Sequence, residues 1–212
     1  MLSAATELFA ATGFHGAKVR DIARAANANL AAANYHFGSK EELYLEVLRT
    51  HFTQVRARLA AQAPMPDKAT IARMSRKQLE ALARKRLETM IDILVGPPPA
   101  IYGRLMLREM CDPSAALPNI VDEFIRPNMD EMRLVFQGLY PSLSPAEIDR
   151  CSFSMVGQVM FYHVMRPAVL RFLGREEFPR GFTRQLAEHV FEFSLGGMER
   201  LASRRRRVRR AG

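Results

Sequence analysis

The sequence has no tryptophan and only two cysteines, Cys111 and Cys151, among its 212 residues. Two thiols do not build a disulfide framework, so a reduced, cytoplasmic protein is predicted. No apolar run reaches the roughly 18 residues that a membrane-spanning helix requires. The first apolar stretch carries Glu7, which argues against a secretory signal. These absences predict a globular chain that does not interact with a membrane.

The motifs of metal sites and of common enzyme classes are missing as well. The five histidines show no metal-ligand spacing, and neither cysteine has a second ligand close by in sequence. The sequence contains no nucleophile elbow, phosphate-binding loop or paired-carboxylate pattern. We therefore expect no metal, no cofactor and no enzymatic activity. An all-helical enzyme is the competing class.

The positive charge is concentrated at the C-terminal end of the sequence. The net charge is +9, and six arginines between positions 204 and 210 supply most of it. Residues 1–62 hold seven lysines and arginines against five acids, which is only mildly basic. The charge balance therefore does not by itself indicate nucleic-acid binding. Residues 204–212 are predicted to be a disordered arm that either solubilises the chain or attracts DNA without reading sequence.

Apolar residues recur at helical spacing along most of the chain, and the alternation typical of strands is missing. An all-α fold is therefore predicted. Three short helices and a long one are expected near the N-terminus. The long helix begins at Ser39, where Glu42 completes a capping box, and Ser144 and Glu147 form a second start signal. Further helices are predicted over 70–95, 101–110, 119–139 with a kink at Arg126-Pro127, 145–165, and after Pro179.

Three short helices followed by a long one are typical of a helix-turn-helix, whose second paired helix enters the major groove of DNA. Residues 30–36 suit this role, since their alanines permit close approach of the backbone to the bases. Asn34 can pair with adenine or a phosphate, and Tyr35 and His36 can reach phosphate oxygens. Lys40 adds a charge beside a helix N-terminus, itself an anion site. Taken alone, these side chains equally suit a solvated helix face.

Two runs, residues 21–26 (DIARAA) and 34–43 (NYHFGSKEEL), resemble the signature of the TetR repressor family. Residues 2–14 are similar to that family's first helix, so the resemblance covers about residues 1–50. It implies a dimer that binds a palindromic operator on double-stranded DNA and leaves it when a ligand occupies the C-terminal domain. The predicted DNA-binding residues are Lys18, Val19, Arg20, Asn29, Leu30, Ala31, Ala33, Asn34, Tyr35, His36 and Lys40.

The chain departs from the family pattern in three places. The turn reads Asn27-Ala28-Asn29 where the family usually has Gly-Val-Ser; we expect Asn27 to adopt the positive φ of the glycine and Asn29 to cap the next helix. Val19 replaces a hydroxyl residue, which removes one phosphate contact. The family usually has further residues, often basic, before its first helix, whereas this sequence begins inside that helix. We therefore expect weaker DNA affinity from the sequence as it stands.

Three C-terminal segments, residues 104–114, 157–162 and 166–170, resemble an efflux-associated, CecR-like subfamily of the TetR family. The resemblance implies an N-terminal three-helix helix-turn-helix domain and a C-terminal helical domain for ligand binding and dimerisation. The expected domains are residues 1–46 and 47–203, followed by the tail at 204–212. The last two helices, about 145–165 and 179–203, are expected to form a four-helix interface with their copies in a homodimer.

A small hydrophobic or amphipathic effector of unknown identity is implied for the C-terminal domain. Methionine adapts to varied apolar ligands, and a few polar groups fix a ligand's orientation. The predicted pocket residues are Tyr102, Arg104, Met106, Met110, Met155, Gln158 and His163. Core packing is the simpler interpretation of each methionine, and Arg108 and Glu109 suit an ordinary ion pair. The alternative function is a helix-turn-helix protein for non-specific nucleic-acid binding or protein–protein contact.

Overall fold

The computed structural model describes residues 1–96 and 101–211, except for the side chains of Ala33, Asn34, Tyr102 and residues 208–211. The described residues form helices and contain no strand, which confirms the predicted all-α class. The helix stop predicted around Pro97 to Pro99 lies outside the described residues. No helix in the described ranges is long and apolar enough to cross a membrane.

Twelve α-helices and one π-helical turn lie in the described ranges. They are α1 (Leu2–Gly16), α2 (Val19–Ala25), α3 (Leu30–Phe37), α4 (Lys40–Gln62), α5 (Lys68–Arg73), α6 (Arg76–Leu94), α7 (Ile101–Cys111), α8 (Leu117–Ile120), the π turn (Val121–Ile125), α9 (Arg126–Leu139), α10 (Pro145–Val164), α11 (Arg166–Phe172) and α12 (Phe182–Ala211).

The chain divides into two compact units. Unit 1 comprises Met1–Ala57 and Pro98–Arg126, and unit 2 comprises Arg58–Pro97 and Pro127–Gly212. Helix α4 therefore contributes residues to both. The segment Pro98–Arg126 groups with the N-terminal helices, although it falls inside the range 47–203 that the sequence assigns to the C-terminal domain. The functional boundary at residue 46 stays a prediction.

Each unit has its own apolar core. In unit 1, residues of α1, α2, α4, α7 and α8 pack together, among them Phe9, Ile22, Leu43, Leu105 and Ile120, and all five are fully buried. In unit 2, α6, α9, α10 and α12 supply the core, which includes Ile91, Val135, Ile148, Met155 and Val190. Burial of such side chains stabilises each unit by roughly 1.5–3 kcal/mol per large residue.

The helix predicted over 70–95 is wrong in one respect, because the structure has two helices there. Helix α5 ends at Arg73 and α6 begins at Arg76. Ser75 is the N-cap of α6: its side chain accepts a hydrogen bond from the Gln78 amide, and Gln78 completes the capping box. The cap satisfies amide groups that a new helix leaves without partners, which offsets the break in the chain.

The kink predicted at Arg126-Pro127 takes the form of the π turn. Pro127 has no amide hydrogen, so the regular helical bond to the Glu123 carbonyl cannot form. The Arg126 amide instead donates to the Val121 carbonyl, five residues earlier. Such π turns are rare, and each adds one residue to a turn of the helix.

Two C-terminal features differ from the sequence expectation. The helix predicted over 145–165 is followed at once by the separate helix α11, which begins at Arg166 and has Pro167 in its first turn, where proline is tolerated. Helix α12 continues through Arg204 to Arg207, where disorder was predicted. Ion pairs hold this end of α12, since Arg205 contacts Glu147 at 3.0 Å and Arg206 contacts Glu199 at 3.1 Å.

Candidate nucleic-acid interface

The turn between α2 and α3 has the geometry of a helix-turn-helix. Asn27 adopts a φ of 49°, which confirms that asparagine takes the left-handed conformation usually given to glycine. The Asn29 Oδ1 atom accepts a hydrogen bond of 2.8 Å from the Ala31 amide, so Asn29 caps α3 as expected. These two asparagines set the direction in which α3 leaves the turn.

Helix α3 is anchored on one side and exposed on the other. Phe37 packs against the core of unit 1, while Leu30 and Tyr35 are 43% and 93% exposed. Ala31 and His36 are exposed as well. The side chains of Ala33 and Asn34, both predicted to contact DNA, lie outside the described residues. The exposed face of α3 therefore combines small alanines near its start with Tyr35 and His36 near its end, and the alanines allow close approach to base edges.

Basic side chains flank the start of α2. Lys18 and Arg20 are exposed, and Val19 is half-buried. Both arginines of α2 approach Asp21: Arg24 pairs with it at 2.5 Å, and Arg20 lies 3.8 Å from it. Lys18 and Arg20 are thus placed on the surface of unit 1, where cations can contact phosphate oxygens.

Lys40 lies at the start of α4 and rests against the end of α1. Its Nζ atom lies 4.5 Å from the centroid of the Phe14 ring and 3.5 Å from the His15 carbonyl oxygen. The capping box predicted at this helix start is present: the Glu42 amide donates to Ser39 Oγ, and the Ser39 amide donates to the Glu42 carboxylate. Sequence reasoning did not identify Phe14 or His15 as supports for Lys40.

Arg108 and Glu109 on α7 do not form the ion pair that the sequence suggests. Adjacent residues on a helix point in different directions. Arg108 donates hydrogen bonds to the carbonyls of Ala10 at 2.9 Å and Ala11 at 2.5 Å on α1. Buried Glu109 accepts a bond of 2.9 Å from the Tyr44 hydroxyl on α4. The α1 carbonyls are too distant in sequence from Arg108, and Tyr44 from Glu109, for any local pattern to have indicated these contacts.

The residues predicted to line an effector pocket fall into both units. Arg104, Met106 and Met110 lie on α7 in unit 1, where Met106 packs against the core and the other two are exposed. The side chain of Tyr102 lies outside the described residues.

The remaining three lie on α10 in unit 2. Met155 is part of the core. The Gln158 amide donates to Ser194 Oγ at 3.3 Å, and His163 Nδ1 lies 2.6 Å from the Leu94 carbonyl oxygen, at the end of α6. Two open surface depressions, one bordered by His36 and the other by Lys77, are lined by none of these seven residues. The pocket therefore stays a prediction.

Comparison with known proteins gives matches over both parts of the chain. Residues 1–47 match the family described as "Bacterial regulatory proteins, tetR family". Residues 75–198 match the family described as "HTH-type transcriptional dual regulator CecR, C-terminal domain". The CecR protein of Shigella flexneri is 26% identical over 202 residues, which cover 90% of this chain and 86% of that protein.

Solved structures share the fold at low identity. FadR of Bacillus subtilis, in complex with stearoyl-CoA, superposes with a TM-score of 0.65 at 15% identity and covers 92% of this chain and 96% of its own. AibR, in complex with isovaleryl coenzyme A and operator DNA, gives a TM-score of 0.62 at 15% identity, with 91% and 94% coverage. These likenesses show the fold, and the two family matches show that the chain belongs to the TetR family of bacterial transcriptional regulators and carries a CecR-type C-terminal domain.

Proposed function

We propose that the protein is a repressor that binds a palindromic operator as a homodimer and leaves it when a small hydrophobic or amphipathic effector binds. The observation that carries the proposal is the exposed face of α3, which is anchored to unit 1 by Phe37 and presents Tyr35 at 93% exposure. A helix with one anchored side, alanines at the start of its outer face and hydrogen-bonding side chains at the end fits the major groove.

The contacts divide into two kinds. Ala31, Ala33 and Asn34 would meet base edges, because small side chains and an amide suit direct readout. Tyr35, His36 and the cations Lys18, Arg20 and Lys40 would contact phosphates and set the register of the protein on DNA. Asn29 caps α3 and Leu30 is its first residue. Val19 would lie against the DNA backbone.

A homodimer is supported by the apolar surface of α10 and α12, which pack on each other in unit 2. Phe153 and Phe161 on α10 are 62% and 52% exposed, and Phe193 on α12 is 66% exposed. Large apolar side chains left exposed on two packed helices suit an interaction surface. A second copy related by a two-fold axis would cover them with the same two helices, and would place two α3 helices on half-sites about 34–36 Å apart.

The effector would act through α4, which contributes residues to both units. A ligand that binds one tilt of α4 more tightly shifts the population toward that tilt and changes the span between the two α3 helices. Loss of the span removes both half-site contacts together. The FadR and AibR structures, with their bound acyl-coenzyme A molecules, suggest coenzyme A thioesters as the first compounds to screen.

The proposal is tested by selecting duplexes from a random-sequence pool with the purified protein, followed by fluorescence anisotropy on the enriched duplex and a shuffled one. Enrichment of a two-fold symmetric sequence, bound at least about 1000-fold more tightly than the shuffled duplex, is the expected result. Failure to enrich any sequence would refute a sequence-reading repressor.

Non-specific nucleic-acid binding is a second candidate, favoured by the exposed Arg204 and Arg207 on α12. These two arginines are better targets than Arg205 and Arg206, which make ion pairs. If the double variant Arg204→Gln/Arg207→Gln loses its affinity for every duplex, the second candidate is correct. If it keeps its preference for the selected duplex, the repressor proposal stands.

A further inference from the structure

Helix α7 lies in a region matched by the CecR-type C-terminal domain, yet it belongs to the same compact unit as the helix-turn-helix. Its contacts with α1 and α4 are polar as well as apolar. Arg108 and Glu109, neighbours on α7, reach the two helices separately. This arrangement sets two charged side chains of α7, exposed Arg108 and buried Glu109, against helices of the unit that presents α3.

Arg108 binds α1 where its hydrogen-bond ladder is interrupted. Gly13 has a φ of 75° and a non-helical ψ of 173°, so the helix breaks there. The break interrupts the regular bonds that cross it, including those that the Ala10 and Ala11 carbonyls would accept. Arg108 donates to both carbonyls, and its positive charge suits the negative end of a helix. Arg108 therefore binds α1 at the point where Gly13 bends it.

Glu109 binds α4 in a fully buried environment. Its carboxylate is 1% exposed and accepts three hydrogen bonds, from the Tyr44 hydroxyl at 2.9 Å and from the amide and hydroxyl of Ser114 at 3.0 Å each. A buried carboxylate is costly unless it is hydrogen-bonded, so this group holds Tyr44 in one position. Burial and the contact with Glu109 raise the pKa of Tyr44 well above its usual value, which keeps the hydroxyl protonated as the donor.

The two contacts converge on Phe14. This residue follows the bend at Gly13, and the Tyr44 ring packs against the Phe14 ring with centroids 5.1 Å apart. The Lys40 ammonium lies over the Phe14 ring, 4.5 Å from its centroid, and also approaches the His15 carbonyl oxygen. The bend of α1 and the position of Tyr44 thus decide where the Lys40 ammonium rests.

We infer that Arg108 and Glu109 are positioning residues for DNA binding: they touch no DNA, and they orient Lys40 through Phe14 and Tyr44. The inference rests on the proposed function, since it assumes that Lys40 contacts a phosphate. It also gives α7 a route by which a change in the CecR-type region alters DNA affinity within unit 1.

The first experiment measures binding of the selected and shuffled duplexes by Arg108→Met, with Arg126→Met as the matched control. Arg126 also belongs to unit 1, is exposed and pairs with Asp122 one turn earlier. Arg108→Met should weaken binding of the selected duplex about tenfold and lower the slope of log K against log salt by about 0.9, the value for one lost phosphate contact. Arg126→Met should match the wild type, and Arg108→Lys, which keeps the charge and one donor nitrogen, should restore part of the affinity.

A double-variant cycle with Lys40→Met separates positioning from mere stabilisation. If Arg108 acts through Lys40, adding Arg108→Met to Lys40→Met weakens binding much less than it does in the wild type. Additive losses, or a slope unchanged by Arg108→Met, would overturn the inference. Circular dichroism at the binding temperature confirms that each variant is folded.

Tyr44→Phe provides a second test that does not depend on the folding of the Arg108 variant. It removes only the hydroxyl and leaves the ring on Phe14, so a threefold or greater loss of binding that disappears in the Lys40→Met background supports the inference. If the wild type enriches no sequence from the random pool, the proposed function fails first. If the wild type prefers the selected duplex and all these variants match Arg126→Met, only the positioning role fails.

Discussion

Arg86 of α6 donates a hydrogen bond of 2.6 Å to the carboxylate of Glu131 on α9 and another of 3.0 Å to the carbonyl of Ala63. Ala63 directly follows the last residue of α4, so the arginine binds the C-terminal end of that helix. Arg86 is only 6% exposed, and burial lowers the pKa of its guanidinium while Glu131 opposes that shift. A buried charge of this kind holds the end of α4 in unit 2 by two polar contacts.

Replacement of Arg86 by methionine should lower the free energy of unfolding by about 2 kcal/mol, because hydrogen bonds to charged groups contribute roughly 1.5–3 kcal/mol. Urea unfolding followed by circular dichroism measures the change. Lys85→Met is the matched control, since Lys85 makes only an exposed contact with Glu88 and such pairs contribute about 0–1 kcal/mol. Equal stability of the two variants would show that the Arg86 contacts contribute nothing net.

Tyr35→Phe should weaken binding of the selected duplex about tenfold, the effect of one lost hydrogen bond to a charged oxygen. Its salt dependence should not change, because no charge is removed. The side chain is 93% exposed, so thermal unfolding should be unaffected. Anisotropy titrations measure the affinity, and Tyr162→Phe in unit 2 is the chemical control. Wild-type affinity in Tyr35→Phe would place the hydroxyl away from DNA.

Phe193→Asp should convert the dimer to a monomer and weaken operator binding by at least about 100-fold, since one half-site alone retains only part of the contact energy. Sedimentation velocity at micromolar concentration measures the oligomeric state. Phe172→Asp on α11 is the control: Phe172 is 88% exposed but lies on neither helix of the proposed interface. A wild-type protein that sediments as a monomer, or a Phe193→Asp variant that stays dimeric, contradicts the four-helix interface.

The stability of the protein should fall as the pH drops from about 6.5 to about 4. Burial lowers the pKa of His51 on α4 from 6.5 to about 4. The unfolded chain, with the ordinary pKa, therefore binds more protons across this range, and protonation favours unfolding. Above pH 6.5 the contribution of neutral His51 to stability is fully present. It declines as the pH falls to the folded pKa of about 4.

His51→Gln should flatten this part of the profile, measured as the urea midpoint at several pH values. His189→Gln, a histidine exposed on α12, controls for the loss of a histidine as such. A profile of His51→Gln as steep as that of the wild type would assign the pH dependence to other groups.

Short-range features of the structure were readable from the residues. The capping boxes at Ser39 and Ser144, the positive φ of Asn27 and the cap at Asn29 all depend on partners within three residues. The order of α1 to α4 followed from apolar spacing, and the family resemblance followed from residues 21–43. The break between α5 and α6 was missed, because apolar spacing continues across Ser75 and hides the cap.

Long-range partners were not readable. Arg108 and Ala10 are 98 positions apart, and Tyr44 and Glu109 are 65 apart. The sequence suggested an ion pair of Arg108 with Glu109, whereas the structure gives Arg108 backbone partners on α1 and Glu109 a hydroxyl partner on α4. The placement of α7 with α1 and α4 was likewise not indicated by the position of its segment in the chain.

The sequence by itself determined the helical class, the helix-turn-helix and the family, since periodicity, caps and turn residues act over one or two helical turns. Tertiary structure alone decided that α7 belongs to the unit that presents α3, that Arg86 holds the end of α4, and that Lys40 rests on Phe14. The physical reason is that a buried charge takes whichever donor or acceptor packing brings within about 3 Å. That choice depends on how helices distant in sequence pack together, and no local pattern records it.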